Sequence, residues 1–339
     1  MFFNLNNQQY YCQYFEKHFS DLLTQNGYQY SKFNPDIAHF NNAKFIGYGF
    51  PNCHARKAII NKIFNLKPYY PYSMSLTKKT VIKFPHLIDE FIKLTATYNR
   101  AVLKDDHGVG AATVYVVKNH QEVLNKIKNN NTFILQQEIV PLLHKGLKFD
   151  QRVFLLVVKE DKEYGVYTFQ ESHIKCAGVK FNSENNSNLC FATNIKAPKV
   201  GKVDDYIIDL EEFFKNYSLE EQNLWKNNVQ EVLKKVAKKF LPYIIQQTEA
   251  YFKNKKEPKF LWHLYGLDII LNEKFKVYLL EFNGKPGVIY DKVMPQHITK
   301  INRVMLNRIY DCFLKYWIKN QTANISSDKT IKKLFSQKV

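Results

Sequence analysis

Three polar side chains interrupt an otherwise apolar stretch between Leu261 and Gly287: Asp268, Glu281 and Asn283. The stretch runs LDIIL, a polar turn at Asn272-Glu273-Lys274, then FKVYLLEF, the pattern of two short strands in a hairpin. Side chains alternate along a strand, so Glu281 and Asn283 share a face. A two- or four-residue turn would pair Asp268 with Val277 or Leu279 on that same face. With four turn residues Asp268 stands diagonally from Glu281, about 7–8 Å away, and both carboxylates can share a cation. Two carboxylates and an amide oxygen on a rigid sheet are hard-oxygen ligands, suited to Mg²⁺ held together with phosphates. The structural alternative is a solvated polar face.

Other residues extend this set. Lys104 ends a strand and faces a loop carrying Gly108 and Gly110. Such a loop lets backbone N–H groups approach phosphate, and the lysine adds a point charge. The spacing matches neither the P-loop nor the Rossmann fingerprint; a tight turn beside a surface lysine is the alternative. Gln136, Gln137, Glu138 and Ile139 close the next strand, and its edge could offer backbone groups to an adenine ring. In KFDQR, Lys148, Asp150 and Arg152 project from one face and lead directly into the apolar run VFLLVV. A charged row entering a buried strand is costly unless it is paired or used. Arg152 can clamp a phosphate or carboxylate with two bonds, or pair internally with Asp150 or another acid. Lys175 and the pair Thr193-Asn194 complete the polar set.

The elements that position these residues are mixed. Helical spacing runs through Tyr11, Phe15, Phe19 and Leu22, AKFIGYGF reads as a strand, and HARKAIINKIFNL as a helix. Ser75 or Thr77 can start a helix that breaks at Pro85. Asn119, with Glu122 three residues later, is placed to cap another helix as a capping box. Strands follow at TFILQQEIV, KFDQRVFLLVVK and YGVYTFQ. A long helical region covers 219–256, broken or kinked at Pro242, and a last helix covers about 297–318. The polar, basic residues from Asn320 onward are expected to be poorly ordered.

The 339 residues suffice for two or three packed subdomains. A net charge of +18 favours an acidic partner: nucleic acid, an anionic membrane or an acidic polypeptide. Five scattered cysteines without a CxxC pair point to reduced thiols and no structural zinc. No apolar run reaches transmembrane length and no signal peptide is evident.

Taken in order, these pieces resemble the tubulin–tyrosine ligase-like family of ATP-grasp amino-acid ligases, over roughly residues 67–290. SLTKK resembles the family's Leu-Thr-x-Lys motif, with Lys79 in the lysine position. VLKDDHGVGAATVYVV is similar to its strand and glycine-rich loop, and ILQQEI followed by KFDQR to its adenine hinge and Lys-Phe-Asp-x-Arg signature. HIKCAG and FATN stand at its Leu-Arg-Thr and His-Leu-Thr-Asn segments. LYGLD and LEFNGKPG are similar to its aromatic-Gly-x-Asp and Glu-x-Asn-x-x-Pro.

The resemblance implies an α/β (α+β) ATP-grasp fold. Its parts would be an N-terminal α/β subdomain (1–78), a central nucleotide-lid subdomain (79–140), a C-terminal antiparallel-sheet subdomain (141–319) and a basic tail (320–339). It implies ATP and Mg²⁺ as cofactors. Lys79, Lys104, the 105–112 loop, Gln136 to Ile139 and Lys148 would hold the nucleotide, and Asp268, Glu281 and Asn283 the metal. Arg152 and Lys175 would hold the acidic substrate or its acyl phosphate, with Glu281 beside the reacting phosphate. Asp150, Thr193 and Asn194 would shape the acceptor site.

The implied reaction joins a free amino acid (glutamate, glycine or tyrosine) to an acidic protein tail such as tubulin's, by a monomer in the cytoplasm or on the cytoskeleton. Two departures stand out: lysine replaces the family's arginine at 175, and His263 replaces a glutamate before Gly-x-Asp. Two other readings remain open at this stage. One is an ATP-grasp-like kinase or ligase acting on a small or non-tubulin substrate. The other is an inactive basic protein that binds filaments or nucleic acid.

Overall fold

The computed structural model describes residues 3–5, 46–48, 56–95, 97–106, 113–127, 131–184, 188–193, 205–254, 260–284, 286, 288, 294–318, 321–325 and 328–339. The helix expected through Tyr11 to Leu22 lies outside these residues. In chain order the elements begin with β1 (Phe3–Leu5), β2 (Ile46–Tyr48), α1 (Lys57–Phe64), β3 (Ser73–Leu76), α2 (Lys78–Lys83), α3 (Pro85–Thr95), β4 (Ala101–Asp105), β5 (Val114–Val117), α4 (His120–Lys126) and β6 (Phe133–Gln137). Next come β7 (Leu143–His144), β8 (Leu147–Glu160), β9 (Glu163–Phe169), β10 (His173–Cys176), α5 (Asn188–Phe191), β11 (Ile207–Asp209), α6 (Leu210–Phe214) and α7 (Leu219–Phe252). The chain finishes with β12 (Phe260–Leu271), β13 (Val277–Asn283), α8 (Gln296–Ile309), a π-helical turn at Tyr310–Leu314, α9 (Lys315–Ile318) and β14 (Ile331–Lys338).

The strands form two sheets. The smaller runs β3-β6-β4-β5 and is antiparallel throughout. The larger is built on β8, paired along one edge with β12 and along the other with β10 and then β9. It is antiparallel except where β2 meets β1 and β12. Alternation along β8 decides what each face meets. Phe149, Val153, Leu155 and Val157 enter a core with α7, while Phe154, Leu156 and Val158 enter another with α8 and the π-turn. Lys148, Asp150 and Arg152 precede the second set on the same face. The outer face of the small sheet packs Leu103, Val117 and Leu135 against α2, α3 and α4.

Local signals explain several boundaries. Thr77 caps α2, accepting from the Thr80 N–H, and a separate helix restarts at Pro85. The Asn119 side chain accepts from Glu122 N–H as expected, but the Glu122 carboxylate accepts from Lys118 N–H instead of closing the capping box on Asn119. Ser218 and Glu221 do form the reciprocal box at the start of α7. Pro242 does not break α7, which continues to Phe252; burial of Phe240, Leu241, Ile244 and Ile245 on either side holds it helical. Among the described residues no helix is long and apolar enough to cross a membrane.

The basic C-terminal segment is a strand where poor order was expected. Residues Ile331–Lys338 pair antiparallel with β9, whose other edge is taken by β8. Ile331 is buried beside Trp317 and Phe313, and Glu160 accepts from the Ala323 N–H at 2.8 Å and from the Trp317 indole. Edge pairing and one apolar anchor outweigh the polar composition. Ile331→Ala is therefore expected to cost about 2–5 kcal/mol, read from urea unfolding; a loss under about 0.5 kcal/mol would place β14 outside the cooperative fold.

Candidate active site

The hairpin of β12 and β13 differs in register from the simple turn expectation. Leu271 pairs with Val277, and residues 272–276 make the turn, organised by Asn272 Oδ1, which accepts from Lys274 and Lys276 N–H. A bulge then follows: Ile269 pairs with Leu279 but Asp268 with Glu281, leaving Leu280 as the extra residue. Asp268 therefore stands directly opposite Glu281, not Leu279 or Val277. On its other edge β12 places Asp268 opposite Arg152, β8 places Arg152 opposite His173, and β10 places His173 opposite Asp209. One row thus crosses five strands, and a neighbouring row sets Asp150 opposite Lys175.

The side chains interlock. Arg152 donates to Asp268 with two bonds, Nε to Oδ1 at 2.7 Å and a terminal nitrogen to Oδ2 at 3.1 Å. Lys175 Nζ lies 2.9 Å from Asp268 Oδ1 and 2.9 Å from Asp150 Oδ1. Asn283 Nδ2 donates to Asp268 Oδ2 at 3.1 Å, and the Thr193 hydroxyl donates to Asp150 Oδ2. Gly266 makes room for this. A Cβ there would stand 2.8 Å from Pro286 Cβ and 3.1 Å from Arg152 Cδ.

Burial alone would raise the Asp268 carboxyl, but Arg152 and Lys175 together outweigh it and hold the group well below the usual carboxylate range. For Asp150 burial wins over Lys175, and the carboxyl is raised. His173 is held neutral, first by burial and then by Arg152 and Lys175.

The face of the small sheet opposite Leu103 and Leu135 meets this row. Lys104 Nζ donates to Gln136 Oε1 at 2.7 Å and to the carbonyl of Leu280, the bulge residue, at 3.3 Å. Burial brings its pKa down to about 8, although Glu281 pulls the other way. Lys148 is also brought down to about 8 by burial, against Glu138 and Asp150, and its Nζ lies 3.3 Å from the centroid of the Phe191 ring. Val102, Val116 and Phe191 form a small apolar patch alongside. From α1, Lys57 Nζ reaches to 3.6 Å from Glu281 Oε1, and Asp106 at the end of β4 accepts from the Ala58 N–H at 2.7 Å. A cleft of about 270 Å³ opens at the Asp209 end of the row, lined by Glu171, Ser172, Asp209 and Arg308 among others, and none of Lys57, Lys104, Lys148 and Lys175 borders it.

The expected residues divide accordingly. Lys104, Gln136, Lys148, Asp150, Arg152, Lys175, Thr193, Asp268, Glu281 and Asn283 converge. Lys79 sits exposed in the first turn of α2, and among the described residues no ion pair or hydrogen bond ties it to the row. The Glu138 carboxylate is turned to Arg100 instead of a ligand. The Gln137 N–H donates to Tyr72 O, and Ile139 is buried. Gly108, Gly110 and Asn194 lie outside the described residues. Arg152 pairs with Asp268, not with Asp150. Sequence reasoning missed Lys57, Arg100 and His173. Only His173 left a signal, as the residue two before Lys175 on the same strand face.

The donor set fits a hard cation with one condition. Glu281 keeps a half-exposed carboxylate that Lys57 approaches only to 3.6 Å. Asp268 is saturated: Oδ1 takes Arg152 and Lys175, and Oδ2 takes Arg152 and Asn283, which fills its lone-pair sites. A metal at Asp268 must exchange with one of these donors. Among the described residues no group of three or more His, Cys, Asp or Glu could hold a metal.

Residues 54–315 match the family model described as "Tubulin-tyrosine ligase family". Tubulin glycylase 3E of Tetrahymena thermophila is 26% identical over 231 residues, covering 63% of this chain and 16% of that protein. Human Tubulin polyglutamylase TTLL13 is 24% identical over 212 residues, 58% of this chain and 25% of that protein. Mouse Tubulin polyglutamylase TTLL6 is 24% identical over 222 residues, 60% and 26% respectively. The matched part of the chain spans about a sixth to a quarter of these relatives' length. With more than half of its residues inside the family match, the chain belongs to the tubulin-tyrosine ligase family.

Proposed function

We propose that this protein is an ATP-dependent carboxylate–amine ligase that adds an amino acid to an acidic protein tail, tubulin's being the first candidate. The observation that carries the reading is the meeting of Lys104 from the small sheet and Glu281 with the Arg152–Asp268–Lys175–Asp150 network of the large sheet. The small sheet and the large sheet are taken as the two lobes of an ATP-grasp fold, corresponding to the expected units at 79–140 and 141–319. The small sheet also takes in β3 at Ser73–Leu76. Of the expected N-terminal unit at 1–78, β1 and β2 join the large sheet through β12.

In this reading a substrate carboxylate oxygen attacks the γ-phosphorus of ATP and ADP leaves. The amine nitrogen of the second substrate then attacks the acyl carbon, phosphate departs with the bonding pair, and the nitrogen loses a proton. Asp268, Glu281 and Asn283 would hold Mg²⁺, which would supply charge neutralisation to the transferring phosphoryl group. Lys104 and Lys148 face the nucleotide phosphates. Arg152 and Lys175, already poised on carboxylates, exchange them for the substrate carboxylate or its acyl phosphate. Thr193 holds Asp150 against Lys175 at the acceptor side. The relatives' names include both glycylases and polyglutamylases, so glycine and glutamate are the leading amino acids, ahead of tyrosine. The net charge of +18 suits an acidic tail and predicts docking that weakens with salt.

The test is mass spectrometry of tubulin and of synthetic acidic peptides after incubation with the protein, ATP, Mg²⁺ and each amino acid in turn. The expected product gains one or more amino-acid residues, with phosphate released only when both substrates are present. A stable phosphorylated product would replace the ligase with a kinase.

The lysines give a pH dependence. Both have folded pKa values near 8, and bound phosphate favours their charged forms. ATP binding should be proton-neutral near pH 6.5 and take up protons as pH rises through 8, with affinity falling above it. Calorimetry in buffers of different ionisation enthalpy reads this directly. Proton release at pH 8 would contradict it.

A further inference from the structure

We propose that Arg100 and Glu138 form a latch that rigidifies the hinge between the two sheets and thereby sets the preference of the nucleotide site for adenine. The proposal rests on the ATP reading above.

Ala101 and Gln137 are the last ladder pair between β4 and β6, and Arg100 and Glu138 lie one step beyond it. Arg100 is fully buried and Glu138 nearly so. The guanidinium donates twice to the carboxylate, Nε to Oε2 at 2.6 Å and a terminal nitrogen to Oε1 at 2.9 Å. Two rings cover the guanidinium, Tyr98 at 5.5 Å and Phe181 at 6.0 Å, and they stand 6.1 Å from each other. Tyr98 precedes β4 of the small sheet. Phe181 follows β10 of the large sheet, and its N–H donates to Gly146 O in the turn before β8 at 2.8 Å. The buried pair is thus gripped from both sides of the hinge. The hinge ends are tied as well: Gln137 N–H to Tyr72 O and Leu142 N–H to Leu271 O, both 2.7 Å.

Both Glu138 oxygens are engaged by Arg100, so recognition of a base falls to the hinge backbone beside Ile139. A peptide edge offers one carbonyl and one N–H in fixed sequence. Adenine, with a donor at N6 and an acceptor at N1, can meet that order; guanine presents the reverse. Such a pattern discriminates only while the backbone cannot shift, and a bidentate buried pair is a device for that. The pair is neutral overall, and its two charges act on Lys148 in opposite senses. Removing both members should leave the attraction for phosphate nearly unchanged.

The experiment is calorimetric titration of the full chain, with Mg²⁺, by ATP, GTP and inorganic tripolyphosphate, for wild type and for Arg100→Met/Glu138→Leu. Replacing both partners of a buried pair with apolar residues of similar size preserves folding better than removing one. Wild type should prefer ATP to GTP. In the double variant the ATP Kd should rise about tenfold, the loss of about one hydrogen bond, while GTP and tripolyphosphate stay within about twofold. A folded double variant with the wild-type ATP-to-GTP ratio overturns the latch. If the double variant does not fold, Arg100→Lys keeps the charge and loses the fork; an unchanged ratio there overturns the latch equally. Wild type that binds none of the three probes refutes the nucleotide reading itself, a different failure.

Discussion

Glu281→Gln is expected to lower turnover by about 10²–10³-fold while leaving the protein folded. The carboxamide has the same shape, and the side chain is 35% exposed, with a long 3.6 Å contact to Lys57. Folding stability should therefore move by no more than about 0.5 kcal/mol. Chemistry should move because Glu281 is part-exposed beside Asp268 and is not saturated by cations as Asp268 is. A second effect accompanies the first. Glu281 is the main group supporting the charge on buried Lys104, so ATP affinity at pH 8 should fall more in the variant than at pH 6.5. Turnover of a folded Glu281→Gln protein at the wild-type rate would remove Glu281 from the metal site.

Asp268→Ala should act on stability as much as on activity. It leaves Arg152 and Lys175 in a buried site with Asp150 and, further off, Glu281 to answer two positive charges. Breaking a buried ion pair in this way costs about 3–5 kcal/mol, a large part of the total for a domain. Urea unfolding at pH 7 reads the loss. A midpoint unchanged from wild type would mean that the network contributes no cohesion.

The pH dependence has a definite sign. The folded Asp268 carboxyl is held below its unfolded value of about 3.9, so its contribution is complete above pH ~4 and erodes as acid protonates it below that. Asp150 runs the other way. Its raised folded value means that the charged form opposes folding at neutral pH, and the penalty fades as pH falls through the folded pKa. Acid titration of wild type against Asp268→Ala separates the two.

Much of the site was legible before any fold was known. Lys148, Asp150 and Arg152 had to share a face, as did Glu281 and Asn283, because alternation belongs to a single extended strand and needs no partner. The same property marked VFLLVV as buried, and it is. What a single strand does not contain is its register with others. The bulge at Leu280 shifts β13 by one residue, and that shift alone sets Glu281 beside Asp268 and turns the Leu280 carbonyl toward Lys104. Arg152 meets Asp268 across 116 residues of chain. No local pattern chose that acid over Asp150, two residues away on the same strand.

Glu138 shows the same division. Its position at a strand end made it look available to a ligand, and only the neighbouring β4 brought Arg100 to take it. The basic tail is a third case, polar by composition and ordered because β9 had an open edge and a gap for Ile331. By itself the sequence determined residue types, strand faces and the ordered motifs that mark the family. The tertiary structure decided which charges are paired, which are desolvated and which remain available, because pairing and burial depend on groups brought together from distant parts of the chain.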